Sequence, residues 1–197
     1  MSLLPIDANV LPPSDDRIFK LIMTSPEAKP GLMKLISGLI GRKVDDVTVH
    51  NNELPVSDTN EKAERFDVNC KICDGSQINL EMQASHIQEE SDGKHRNLKG
   101  KSLYYLCDLH SSQPTRGEPR YDKFARSYQI TFCSYTISPH RKSFVNSYSM
   151  RHDEDNELLH DAVQAIFVEL SKLEEILKKP IGTMADLEKW SVFFQKL

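Results

Sequence analysis

Two short runs of strict alternation, joined by Asp74-Gly75, constrain this chain more than any other feature. In the first run Phe66, Val68, Cys70 and Ile72 are apolar while Asp67, Asn69 and Lys71 are polar. In the second, Ile78, Leu80 and Met82 are apolar while Gln77, Asn79, Glu81 and Gln83 are polar. Period-two alternation around a turn dipeptide predicts an antiparallel hairpin. Directly opposed residues of such a pair share a face, and the apolar positions of both runs are even-numbered, so paired numbers must sum to an even number. A two-residue Asp74-Gly75 turn would set Val68 against Glu81. A three-residue loop, Cys73-Asp74-Gly75, instead sets Val68 against Leu80 and Cys70 against Ile78, with Gly75 at the position that needs a positive φ.

The same register sets Asp67 against Glu81, with Cβ atoms roughly 5 Å apart on the polar face. Gln83 follows two residues along on that face. Two carboxylates so close repel each other unless a cation or a proton lies between them. Hard oxygen donors from adjacent strands, with water completing the shell, suit a divalent cation. The competing reading is a solvated sheet face whose polar residues have no further purpose. Helical segments flank the hairpin in sequence, so a sheet covered on both faces is expected, and there an uncompensated carboxylate pair is costly.

Around the hairpin the pattern is mixed α/β. Residues 1–14, with Pro5, Pro12 and Pro13, read as an extended arm. Residues 15–197 read as one domain, without repeats or a linker. Ser14-Asp15-Asp16 offers N-cap chemistry for a first helix, and a second is expected over about 31–40, stopped by Gly41. A strand is expected at Val47 and Val49, and polar loops over 55–62 and 111–120. A helix after residue 85 carries Leu98, Leu103, Tyr104, Leu106 and Cys107. An interior strand is expected over Tyr128–Ile137. Residues 143–151 and 159–170 read as a second hairpin around Asp153-Glu154-Asp155-Asn156, although Val163, Ile166, Phe167 and Leu170 fit a helix as well. A terminal helix is expected over 184–197, with Trp190 as its packing anchor. No apolar run is long enough for a signal peptide or a membrane span, and four cysteines without a framework point to free thiols in a reducing cytoplasm. Cys70-x-x-Cys73 is not a zinc half-site, because its residues fall on opposite strand faces and no second pair exists. The seven histidines show no ligand spacing.

The run Arg65-Phe66-Asp67-Val68 through Asp74-Gly75-Ser76-Gln77-Ile78-Asn79-Leu80-Glu81-Met82-Gln83 resembles the core of the PD-(D/E)XK nuclease family transposases, also described as recombination-promoting nucleases. Asp16-Arg17-Ile18-Phe19-Lys20 is similar to that family's Asp-x-x-Phe-Lys opening. Leu103-Tyr104-Tyr105, Gly117-x-x-x-Tyr121 and Phe167-Val168-Glu169-Leu170-Ser171-Lys172 follow in the family's order. The resemblance implies a restriction-endonuclease-like fold, a mixed central sheet flanked by helices, in a chain shorter at its C-terminus than many relatives. It implies a Mg²⁺-dependent DNA endonuclease acting in transposition or recombination, with Asp67 and Glu81 as ligands to Mg²⁺ or another divalent cation. The alternative is a catalytically weakened module of the same fold that binds DNA or a protein.

On the same footing, Gln83 stands where the wider superfamily has a lysine and would orient a water molecule. Lys101 stands where relatives carry an arginine and would neutralise charge on the phosphate, and Asp16 is an accessory candidate, with N-terminal capping of the first helix as its competing and favoured role. The chain's net charge of −4 requires a local basic surface for DNA. Residues 94–126 supply one, with eight basic against three acidic residues. Lys94, Arg96, Lys99, Arg116, Arg120, Lys123 and Arg126, interleaved with Tyr104, Tyr105 and Tyr121, are the expected contacts, with the acidic 153–161 segment away from DNA. A homo-oligomer is a further expectation.

Overall fold

The computed structural model describes residues 11–50, 67–84, 92–113 and 120–195, with 92–96 as helical backbone only. The expected loop at 55–62, most of the N-terminal arm, and Arg65, Phe66, Arg116 and Gly117 lie outside the described residues.

Helix α1 (Asp16–Thr24) starts at Asp15, whose carboxylate accepts the Arg17 N–H at 3.1 Å. Its Phe19 and Met23, one turn apart, are buried. Helix α2 (Lys29–Ile40) begins two residues before the expected boundary, because Pro30 is tolerated in a first helical turn that needs no donor there. It ends at Gly41, whose φ of +69° supplies the left-handed cap.

Six strands form one sheet in the order β1-β2-β3-β4-β6-β5: β1 (Val47–His50), β2 (Val68–Ile72), β3 (Gln77–Gln83), β4 (Ser127–Cys133), β5 (Val145–Tyr148) and β6 (Val163–Glu169). The central hairpin has the register that parity requires, with Val68 opposite Leu80 and Cys70 opposite Ile78. Ile72 N–H donates to Ser76 O at 3.0 Å, which closes the three-residue loop. Gly75 within it has φ +88°. Arg42 ties the loop down through Asp74 and through Ser76 Oγ at 2.8 Å.

Strands β3, β4 and β6 run parallel, and helix α3 (Asp92–Ser111) is the crossover from β3 to β4. Even-numbered strand residues, among them Leu80, Met82, Ile130, Phe132, Ile166 and Val168, form the main core with α1, α2 and helix α5 (Asp186–Gln195). Phe19, Phe132 and Phe194 meet there at ring-centroid distances of 5.2–5.8 Å, each burial contributing roughly 1.5–3 kcal/mol. Trp190 is the expected anchor. It stacks on Phe194 and donates to Gly31 O at 3.2 Å. A Cβ at Gly31 would lie 2.7 Å from its ring.

Odd-numbered residues face α3, which packs on β3, β4 and β6. Leu98, Leu106 and Leu109 of α3 are buried, whereas Leu103 and Tyr104 are 60% and 56% exposed and Cys107 is exposed. The last three point off the sheet because they lie on the helix face opposite Ser102 and Leu106.

Three expectations change. The strand expected to reach Ile137 ends at Cys133, because the N–H groups of Ile137 and Ser138 turn to the carboxylate of Glu169. The segment compatible with helix or strand is strand β6, held between β4 and β5, and its hairpin continues outward to an Arg151–Leu158 bridge with Asn156 in the left-handed region at φ +62°. The sequence pattern does not predict the short helix α4 (Glu174–Leu177), and α5 begins at Asp186, two residues later than expected.

Candidate active site

The hairpin register and the parallel order together place a string of polar side chains beneath α3. Val68 opposes Leu80, so the next pair outward is Asp67 and Glu81, on the face turned to α3. Glu81 is 3% exposed. Its Oε1 accepts from Lys101 Nζ and, at 3.0 Å, from Gln83 Nε2, while its Oε2 accepts from Gln129 Nε2 at 3.3 Å. Asp67 takes a different anchor, its Oδ2 accepting the backbone N–H of Met82 at 2.9 Å.

The electrostatics follow from burial. Desolvation first, then the nearby charges of Glu81 and Asp16, push the Asp67 carboxyl up to about 6, while the Met82 N–H and Lys101 act in the opposite direction. Desolvation also raises Glu81, with Asp16 adding to it and Lys101 and Gln129 opposing. Asp16, the first residue of α1, is exposed yet close enough for its charge to be felt by both carboxylates. Asp15, its neighbour, is the residue that caps the helix. Lys101 lies on α3 with its ammonium 5.3 Å from the centroid of the Tyr105 ring. Asp67, Glu81, Gln83, Lys101 and Asp16 are thus brought to one place, at the C-terminal end of β3, the end of a parallel strand where ligands bind in open α/β sheets.

Sequence reasoning missed the layer beneath Glu81. Asn79 Nδ2 donates to Gln129 Oε1 at 2.8 Å, Gln129 Nε2 reaches both Glu81 and Thr131 Oγ1 at 3.3 Å, and Thr131 shares a hydrogen bond with Ser102 at 3.2 Å. All four residues are at most 1% exposed. The signal was present in β4, where Ser127, Gln129 and Thr131 are polar at alternate positions in phase with Glu81. A second buried acid, Glu169 at the end of β6, accepts from Lys172 Nζ at 2.7 Å, from Ile137 and Ser138 N–H, and from Asn146 Nδ2 at 2.7 Å. It pins the segment after β4 across the same end of the sheet.

The basic stretch is divided. Lys99 is exposed on α3 but, two residues from Lys101, points to another side of the helix, while Tyr105 lies by the Lys101 ammonium with its ring 6.0 Å from that of Tyr104. The side chains of Lys94 and Arg96 and the whole of Arg116 lie outside the described residues. Arg120, Tyr121, Lys123 and Arg126 precede β4, at the opposite end of the sheet. Thr131 is the residue opposite Glu81, and Arg126 is five residues before it, about 16 Å along the strand. Arg120 is paired with Asp122 at 2.8 Å, and Arg126 with Asp161 of the acidic segment expected to stay clear of DNA. These cations therefore do not share one surface with the two carboxylates. The parallel pairing of β3 with β4 sends them to opposite ends.

The carboxylates fit a divalent cation. They are hard oxygen donors, and both are raised by burial and by neighbouring negative charge, which a cation relieves. Among the described residues no group of three or more His, Cys, Asp or Glu gathers into a ready cage. Two protein carboxylates with water or substrate oxygens filling the rest is a manner of binding usual for Mg²⁺. Among the described residues no helix is long and apolar enough to cross a membrane.

No curated protein and no solved structure matches this chain. A family model described as PD-(D/E)XK nuclease family transposase matches residues 13–197, and the mixed six-stranded sheet with helices on both faces agrees with the restriction-endonuclease-like arrangement of that family. With nearly its whole length matched, this chain belongs to the PD-(D/E)XK nuclease family transposases.

Proposed function

We propose that this chain is a Mg²⁺-dependent DNA endonuclease that hydrolyses phosphodiester bonds, with Asp67 and Glu81 as the cation ligands. The observation that carries the reading is the convergence of two buried or half-buried carboxylates from adjacent strands with a lysine at the C-terminal end of β3. A bound divalent cation would polarise the scissile phosphate and lower the pKa of water. The chain's own residues supply the rest. Lys101 holds Glu81 as a carboxylate and brings positive charge toward the phosphate. Gln83, which can neither titrate nor carry charge, fixes Glu81 through its amide N–H and has a carbonyl oxygen able to orient water. Lys99 and Tyr104, exposed on α3, and Tyr105, whose ring lies by the Lys101 ammonium, are the offered DNA contacts of this helix.

The second reading, a catalytically weakened module that binds DNA, is favoured by the engagement of both Lys101 and Gln83 with Glu81 Oε1. Plasmid nicking in Mg²⁺ separates the two. The nuclease reading expects nicking by the native chain and none by Asp67→Ala or Glu81→Gln. Equal nicking by native and variant chains refutes the assignment of the site. Salt-dependent DNA binding without any nicking supports the module.

A further inference from the structure

Among the described residues the sheet ends on one side at β5, which pairs with β6 alone. The pairing shows which backbone groups of β5 remain on the outer edge. Glu169 N–H donates to Phe144 O at 2.7 Å, so residues 144, 146 and 148 bond inward to β6 while 145, 147 and 149 direct their N–H and C=O outward. Val145 has this outward edge covered by its own neighbour, since its N–H and C=O both bond Ser143 Oγ, at 3.3 and 2.8 Å. Beyond Tyr148 the hairpin continues past the sheet as an exposed arm, with Met150 56% and Leu159 71% exposed and paired through Leu159 N–H and Met150 O.

The charges along this edge are arranged head to tail. His140, Arg141 and Lys142 precede β5, and Asp153, Glu154 and Asp155 form the tip of the arm, all of them exposed. We propose that the β5 edge pairs antiparallel with the β5 edge of a second copy of this chain across a two-fold axis at Tyr148. Outward residues must meet outward residues, so paired numbers again sum to an even number. Centred on Tyr148, that rule sets Ser147 opposite Ser149 of the second copy and brings Lys142 toward Glu154 and Arg141 toward Asp155. Two-fold symmetry repeats each pair, giving four opposite-charge contacts. The Tyr148 rings, each held edge-on to Phe167 at 5.8 Å with its hydroxyl bonded to Ser138 Oγ at 2.8 Å, meet at the axis. Registers displaced by two or more residues lose the match of basic start to acidic tip. An open edge flanked by opposite charges fits a copy of itself, whereas an acidic or a basic partner would satisfy only one end. The pairing does not depend on the nuclease reading.

Light scattering coupled to size-exclusion chromatography on the full chain, over a concentration series, tests it. The expected result is a dimer that loosens as salt is raised. The double reversal Glu154→Lys with Asp155→Lys is expected to weaken the dimer by on the order of tenfold or more, since several exposed pairs turn repulsive together. Adding Arg141→Glu and Lys142→Glu to that variant is expected to restore it. Ser147→Pro removes an outward N–H that no described residue accepts, and is expected to give a monomer with native circular dichroism. A native chain that stays monomeric at every concentration overturns the proposal. So does a dimer indifferent to both the reversal and Ser147→Pro, which would place the interface on another face.

Discussion

Asp67→Asn exchanges a carboxylate that the fold holds at a cost for a neutral amide of nearly the same shape. In the folded chain the Asp67 carboxyl is raised from 3.8 to about 6. At 1.36 kcal/mol per pH unit this is about 3 kcal/mol against its ionised form, and the water that reaches a half-buried group reduces it to about 1–2 kcal/mol. The Asn side-chain oxygen can still accept the Met82 N–H, so the anchor is kept. For a chain of this size the gain corresponds to a rise in Tm of about 3–6 °C. The sign fixes where it is seen. A carboxyl whose folded pKa lies above its unfolded one destabilises the fold as pH climbs through that interval. The variant and native chains should therefore melt alike near pH 4, diverge between about pH 4 and 6, and hold a constant gap above it. Mg²⁺ should act in the opposite sense, stabilising the native chain by about 1.4 kcal/mol at ten times its dissociation constant and leaving the variant unmoved. Thermal melts in a pH series, with and without Mg²⁺, read both effects. A variant that melts lower than the native chain without metal, or a gap that does not change with pH, would refute the electrostatic argument. Equal stabilisation of both proteins by Mg²⁺ would remove Asp67 from the cation site.

Other consequences follow from the buried polar layer and the divided charge. Gln129→Leu strands Asn79 and Glu81 without their amide partner and should lower stability by about 2–3 kcal/mol in urea denaturation, more than the loss of one satisfied hydrogen bond. Lys172→Met leaves the fully buried Glu169 without its cation and should cost about 3–5 kcal/mol, part of which Glu169→Gln in the same chain restores, measured as the shift in urea midpoint. Lys99→Ala should weaken DNA binding and lower its salt dependence by about one phosphate contact, while Arg126→Ala, at the opposite end and paired with Asp161, should leave both unchanged in fluorescence anisotropy titrations.

Local rules alone determined the hairpin and, through it, the pairing of the two acidic positions. Alternation has a period of two, an antiparallel pair keeps opposed residues on one face, and only glycine takes the positive φ of that loop without strain, so Val68–Leu80 and Asp67–Glu81 followed without any tertiary information. The start of the first helix within Ser14-Asp15-Asp16 and the Gly41 stop were legible for the same reason, since each is a matter of a few adjacent residues, although the cap is Asp15 and not Asp16. The fold decided what depends on strands far apart in the chain. Only the parallel stacking of β3, β4 and β6 brings Gln129 and Thr131 under Glu81, carries Arg120, Lys123 and Arg126 to the far end, and turns the mostly apolar run of β4 into the floor of a polar layer. Only the packing of α3 across those strands shows which side of the helix is buried, placing Lys101 on Glu81 and leaving Leu103 and Tyr104 outside. A sequence records which face of a strand is polar. Which strand lies beside it is set by a crossover of more than forty residues, whose path follows from the burial of the whole sheet and not from any local pattern.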